Sequence, residues 1–141
     1  MRNPRYRLVA PTLLGVLLLA SATATTAQGV RWPGGAWKGD QWLEGEREDA
    51  TVVVVRFTVA ANSIAWELEI VGPAEGRGNR AKGTAKVTGN SLTLEGEYYE
   101  GSAKGSKLRY ALEKQRDDDE LSGVGIGRGQ TTFKVLWKRV K

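Results

Sequence analysis

The sequence predicts an all-β protein, an eight-stranded antiparallel up-and-down barrel that follows an N-terminal export signal. Three observations lead there. From Gly35 onward the chain is a succession of short runs that alternate apolar and polar residues, and none shows a helical 3.6-residue period. The runs number eight and are separated by turn residues. Each has one apolar face, and eight consecutive strands of that kind leave no unpaired edge when they close on themselves. Two packed sheets would bury the same faces, so a sandwich is the alternative.

At the N-terminus, "MRNPRYRLVAPTLLGVLLLASATATTAQG" joins a basic head (Arg2, Arg5, Arg7) to an apolar run from Leu8 to Ala20 and a tail of small residues. This is the pattern of a secretory signal peptide. The apolar run is interrupted by Pro11 and falls short of the ~20 residues of a spanning helix. Cleavage after Ala27 or Ala24 satisfies the small-x-small rule, and no cysteine follows to carry a lipid. The expected organisation is a signal peptide over 1–27, an extended segment over 28–34 and a barrel over 35–141. Removal of the signal peptide leaves 114 residues and lowers the net charge from +5 to +2. That small excess gives little electrostatic case for a nucleic-acid partner. The expected location is the periplasm or the extracellular medium.

The strands are expected at Ala36–Leu43, Thr51–Ala60, Ile64–Val71, Ala81–Thr88, Ser91–Tyr99, Lys107–Gln115, Glu120–Arg128 and Thr131–Val140. "TGNS" at 88–91 is a tight hairpin signal, and "AANS" and "QRDDDE" read as short turns. "GPAEGRGNR" and "EGSAKGS" read as longer, mobile loops. In the third strand Ile64, Trp66, Leu68 and Ile70 oppose Glu67 and Glu69. In the fifth, Leu92, Leu94, Gly96 and Tyr98 oppose Thr93, Glu95 and Glu97. In the sixth, Leu108, Tyr110 and Leu112 oppose Lys107, Arg109 and Glu113.

A membrane-spanning barrel also alternates, and three features speak against one. Most runs are shorter than the ~9–11 residues a spanning strand needs. The faces Ala81, Gly83, Ala85 and Leu121, Gly123, Gly125, Gly127 are too bare for a lipid band. The chain closes on "WKRVK", with charges where such a strand would meet lipid.

The stretch "LSGVGIGRGQ" raises a different question, since it carries glycine at every second position from Gly123 to Gly129. It does not match G-x-G-x-x-G, because the third glycine slot falls on Arg128 or Gln130, and no Walker lysine follows. It reads instead as the bare face of a strand. Glycine inside a strand costs about 0.5–1 kcal/mol relative to alanine, and inside a small barrel the compensation is room. Gly83, Gly96 and Gly125 would thin one wall while Trp37, Phe57, Trp66, Tyr98 and Trp137 project inward. Either large residues fill the space that small ones vacate, or that space is a ligand cavity.

The chain has no cysteine and no histidine. Ser-His-Asp and Cys-His nucleophiles, Cys or His zinc sites, His or Cys haem ligation and iron–sulfur clusters are therefore unavailable. Carboxylates remain, but "RDDDE" at 116–120 is a run rather than a facing pair and lacks the spacing of a calcium loop. No catalytic residue, metal site or cofactor is expected.

"GAWKG" at 35–39 opens the first strand with Gly35-x-Trp37, and this resembles the G-x-W start of lipocalins and other calycin-type barrels. Avidins and bacterial periplasmic metalloprotease inhibitors open similarly. The resemblance implies that Trp37 plugs the closed end beneath a late basic side chain, here Arg139 or Lys138. The chain lacks the T-D-Y pattern, the disulfide and the C-terminal helix of lipocalins proper, so the resemblance names no ligand. It implies a non-catalytic binding protein. A small apolar or aromatic molecule in the interior would be lined by Trp42, Trp66, Tyr98, Tyr110 and Trp137. The alternative is a protein-binding module or inhibitor, using its loops and the "QGVRWPGG" segment with Trp32 as an aromatic anchor.

Overall fold

A computed structural model describes residues 31–141. The expected signal peptide, both candidate cleavage sites and the start of the expected extended segment lie outside the described residues. Eight strands follow in order: β1 (Gly35–Trp42), β2 (Thr51–Val59), β3 (Ile64–Gly72), β4 (Arg80–Thr88), β5 (Ser91–Glu100), β6 (Lys107–Lys114), β7 (Glu120–Ile126) and β8 (Thr132–Arg139). Each pairs antiparallel with its neighbour, and β8 returns to pair with β1, closing the barrel. Closure rules out the sandwich.

The two ends differ. At one end the hairpin connections are short, over 60–63, 89–90 and 115–119, and the segment leading into β1 meets the end of β8 there. At the other end sit the connections 43–50, 73–79, 101–106 and 127–131. The first of these contains a single 3-10 turn, Arg47–Asp49.

The strand limits follow the alternation closely except at the end of β7. There the strand stops at Ile126, two residues short of the expected Arg128. Gly129 (φ 65°) and Gln130 (φ 64°) adopt left-handed conformations, which end the extended run and reverse the chain within five residues.

Alternation sorts the side chains. Trp37, Val53, Val55, Phe57, Trp66, Leu68, Leu92, Leu94, Leu108, Tyr110, Leu112, Leu121, Val135 and Trp137 are buried in one continuous core. Lys38, Arg56, Glu67, Lys82, Glu95, Glu97, Arg109, Glu113 and Lys138 stand on the outside. An apolar interior inside a charged wall is the reverse of a lipid-facing barrel. Among the described residues no helix is long and apolar enough to cross a membrane.

Large residues do occupy the space that the glycines leave. Trp66 on β3 pairs with Gly83 on β4, which pairs with Gly96 on β5. A Cβ at Gly96 would lie 2.7 Å from Cζ2 of Trp66, so the indole lies across the glycine. It is anchored there by its Nε1, which donates to the Thr84 carbonyl at 2.9 Å. On the far wall, a Cβ at Gly125 would run into the rings of Phe133 and Tyr110.

Candidate functional site

Three regions can carry function: the turn-bearing end, the aromatic interior and the loop-bearing end. At the turn-bearing end Trp37 is fully buried, and its Nε1 donates to the Pro33 carbonyl at 2.8 Å. The Arg139 guanidinium lies 4.5 Å from the centroid of the Trp37 ring. Register places it there, because Trp37 and Arg139 are direct partners across β1 and β8. Arg139 also donates to the Gly34 carbonyl (2.6 Å) and to Asp119 Oδ1 (2.9 Å). Lys141 donates to the other oxygen of Asp119. The Asp119 carboxyl is held below the usual carboxylate range, first by the Lys141 hydrogen bond and further by Arg139. Lys138, the other basic candidate, is exposed on the outer wall, as its opposite parity requires.

The expected projecting arm takes a different form in its described part. Pro33 and Gly34 are buried, and Trp32 is half-buried against the core with the Lys114 ammonium 4.9 Å from its ring centroid. Residues 32–34 form a stopper on this end because two buried or half-buried side chains, Trp37 and Arg139, take up their carbonyls.

In the interior, Trp66, Tyr110 and Trp137 converge. Tyr110 is the hub, packing edge-to-face with Trp66 (6.2 Å between centroids), Phe133 (5.7 Å) and Trp137 (5.0 Å). Its hydroxyl donates to Gln41 Oε1 at 2.5 Å, a contact between residues 69 positions apart. Burial pushes the Tyr110 hydroxyl well above the usual tyrosine range, with Tyr98 adding and the Gln41 bond opposing. Tyr98 is raised as well, by burial. In both, burial favours the neutral hydroxyl, and that of Tyr110 serves as a hydrogen-bond donor to Gln41. Trp137 Nε1 is buried with no hydrogen-bond partner among the described residues.

This cluster is packed. Trp66 is 1% exposed, Tyr110 3% and Trp137 0%, values that a water-sized void beside them would raise. Four of the five residues expected to line a cavity, Trp66, Tyr98, Tyr110 and Trp137, are buried and face the interior. Trp42 is not among them. It has the opposite parity to Trp37 and Gln41, stands half-buried on the outer wall, and stacks beneath the Arg47 guanidinium at 4.0 Å. The parity of β1 already contained that answer, since Trp37 faces inward and Trp42 is five residues on.

At the loop-bearing end the key residue is Asn79, which no local pattern singled out. It is buried, its Nδ2 donates to the Gly76 carbonyl at 3.1 Å, and its Oδ1 accepts from the Ala103 amide at 2.9 Å. One side chain therefore ties the 73–79 loop to the 101–106 loop. Ala103 packs against the core, so the 101–106 loop also contacts the barrel interior. Gln41 is the second residue the sequence reading missed, although it shares the inward parity of Trp37. Among the described residues no group of three or more acidic, His or Cys side chains is arranged to hold a metal ion.

These observations define a class: a closed eight-stranded antiparallel up-and-down barrel with a filled aromatic core, compatible with calycin and lipocalin-like folds. No protein-family model matches the chain, and a search of curated proteins finds no match.

Proposed function

We propose that this is an exported, non-catalytic barrel that binds a macromolecular partner through its loop-bearing end and outer wall, its aromatic interior serving as the core. The observation that carries this reading is the packing around Tyr110. Trp66, Trp137 and Tyr110 are at most 3% exposed, so side chains take up the space around this cluster, which supports a surface site over an interior one, since a drug-sized molecule needs roughly 300 Å³ or more. The available surface is then outside, and the loops tied by Asn79 offer a preorganised one on a rigid scaffold.

A second reading, a small apolar or aromatic ligand in the interior, is favoured by one specific observation. Trp137 Nε1 is an indole donor left without an acceptor, at a cost of about 1–3 kcal/mol, and an acceptor on an entering molecule would satisfy it. Such a ligand would have to open the cluster around Tyr110.

Titration with a panel of lipids, aromatics and isoprenoids separates the two. The partner-binding reading expects flat tryptophan emission and an unchanged melting temperature across the panel. Saturable quenching accompanied by a higher melting temperature would replace it with the interior-ligand reading.

A further inference from the structure

Strand register fixes which charges meet on the outer wall. Where two charged side chains stand directly opposite on neighbouring strands, their signs are opposite: Arg56 faces Glu67, Glu69 faces Arg80, Lys82 faces Glu97 and Glu95 faces Arg109. Among the described residues one pair departs from this rule. Lys38 on β1 stands directly opposite Lys138 on β8, and both are exposed. Like charges directly opposite each other destabilise a sheet. On its other side Lys38 has Val54, and Arg56, a third cation, is diagonal to it on β2. Lys138 alone has an acidic neighbour, Glu120 on β7.

Round the wall, the row through this pair reads Glu120, Lys138, Lys38, Val54 and Glu69. Carboxylates bound the positive stretch on both sides, so an anionic surface broad enough to span the row meets repulsion at each edge. Along the strands the neighbours differ. Lys138 is flanked on the outward face by Leu136, half-buried, and by Val140 just past the end of β8, which is 49% exposed. Lys38 is flanked by Ala36 and by Asp40, whose carboxylate is already taken up by Arg47 at 3.7 Å. The face is therefore narrow across the strands and extended along them, with cations at its centre and aliphatic groups toward its ends. A carboxylate placed between Lys38 and Lys138 is attracted by both and relieves their repulsion.

We propose that the outer face of β1 and β8, centred on Lys38 and Lys138, docks an acidic segment of a partner protein that runs along the strands, one carboxylate between the two ammoniums and aliphatic side chains against Leu136 and Val140. This rests on the outer wall being a partner surface, and it names the chemistry of what that surface takes. The narrowness of the face favours an extended segment over a lipid surface or a phosphate polymer. Its cations are exposed, so the contact weakens as salt rises.

Fluorescence anisotropy with a short labelled peptide alternating Glu and Val tests this, with a Lys–Val peptide as control. The expected result is saturable binding of the acidic peptide at low salt, lost at high salt, and none of the basic one. Lys38→Glu turns the like pair into an opposite one, so it should weaken peptide binding by about tenfold while raising the denaturant midpoint, which separates lost binding from lost folding. Lys138→Gln should weaken binding to a smaller extent. Lys86→Glu, on the outer face of β4, should leave it unchanged. A flat titration of the unaltered protein, or binding that survives Lys38→Glu, would overturn the proposal. So would phosphatidylglycerol vesicles or polyphosphate binding in a Lys38-dependent way where the peptide does not, since the face would then belong to a lipid or a phosphate polymer. The wider partner reading is decided separately by the small-molecule panel: a flat peptide titration beside a flat panel removes the acidic segment and leaves that reading standing.

Discussion

Arg139 lies over Trp37, its guanidinium 4.5 Å from the ring centroid, and reaches beyond it to the Gly34 carbonyl and to Asp119. One side chain from the last strand thereby holds the first strand, the segment before it and the β6–β7 turn. Arg139→Ala should lower stability by about 1–3 kcal/mol, combining a cation–π contact with lost hydrogen bonds. Arg139→Lys should recover less than half, because an ammonium has no planar fork with which to stack and bridge. Denaturant midpoints check both, and equal stability for Lys and Arg would refute the role of the fork.

Among the described residues, Tyr110 and Gln41 form the one direct hydrogen bond between two buried side chains inside the barrel. Tyr110→Phe should cost about 1–3 kcal/mol by leaving the Gln41 amide oxygen unpaired. Adding Gln41→Leu to that variant should return much of the loss, since removing both partners is far cheaper than removing one. A double-mutant cycle in urea reads the coupling directly.

Gly125→Leu should destabilise by at least ~1–3 kcal/mol, because its side chain would enter the Phe133 and Tyr110 rings. An unchanged unfolding midpoint would show that these rings move aside freely.

Among the tryptophans, position predicts sensitivity. Trp66→Ala removes a fully packed indole and should cost about 3–5 kcal/mol. Trp42→Ala removes one on the outer wall and should cost under ~1 kcal/mol. Thermal melts of the two variants, compared side by side, test the inward and outward assignments.

Alkaline pH should unfold the protein through its interior tyrosines. Tyr110 and Tyr98 have raised folded-state values, so above the ordinary tyrosine value near 10 the unfolded chain has lost protons that the folded chain keeps. Stability is therefore fully present below that value and falls as pH rises beyond it. Tyrosine absorbance and near-ultraviolet circular dichroism should change together, and Tyr110→Phe should make the fall shallower. Ionisation of both residues in a still-folded barrel would contradict this.

The strand count, the barrel and its inward faces were legible in the sequence because a period of two is a local property, readable in each run alone. Even the outward position of Trp42 was there, in the parity it does not share with Trp37. Whether the interior is filled or hollow was not, because it depends on how side chains from separate strands share one volume. Trp66 lies across Gly96 on a strand that is not its neighbour, and Tyr110 meets Gln41 and Phe133 across the barrel. Those meetings follow from closure and register, which join residues dozens of positions apart. The same holds for Asn79: nothing in its neighbourhood marks it, and only the approach of the 73–79 and 101–106 loops gives its amide something to tie together.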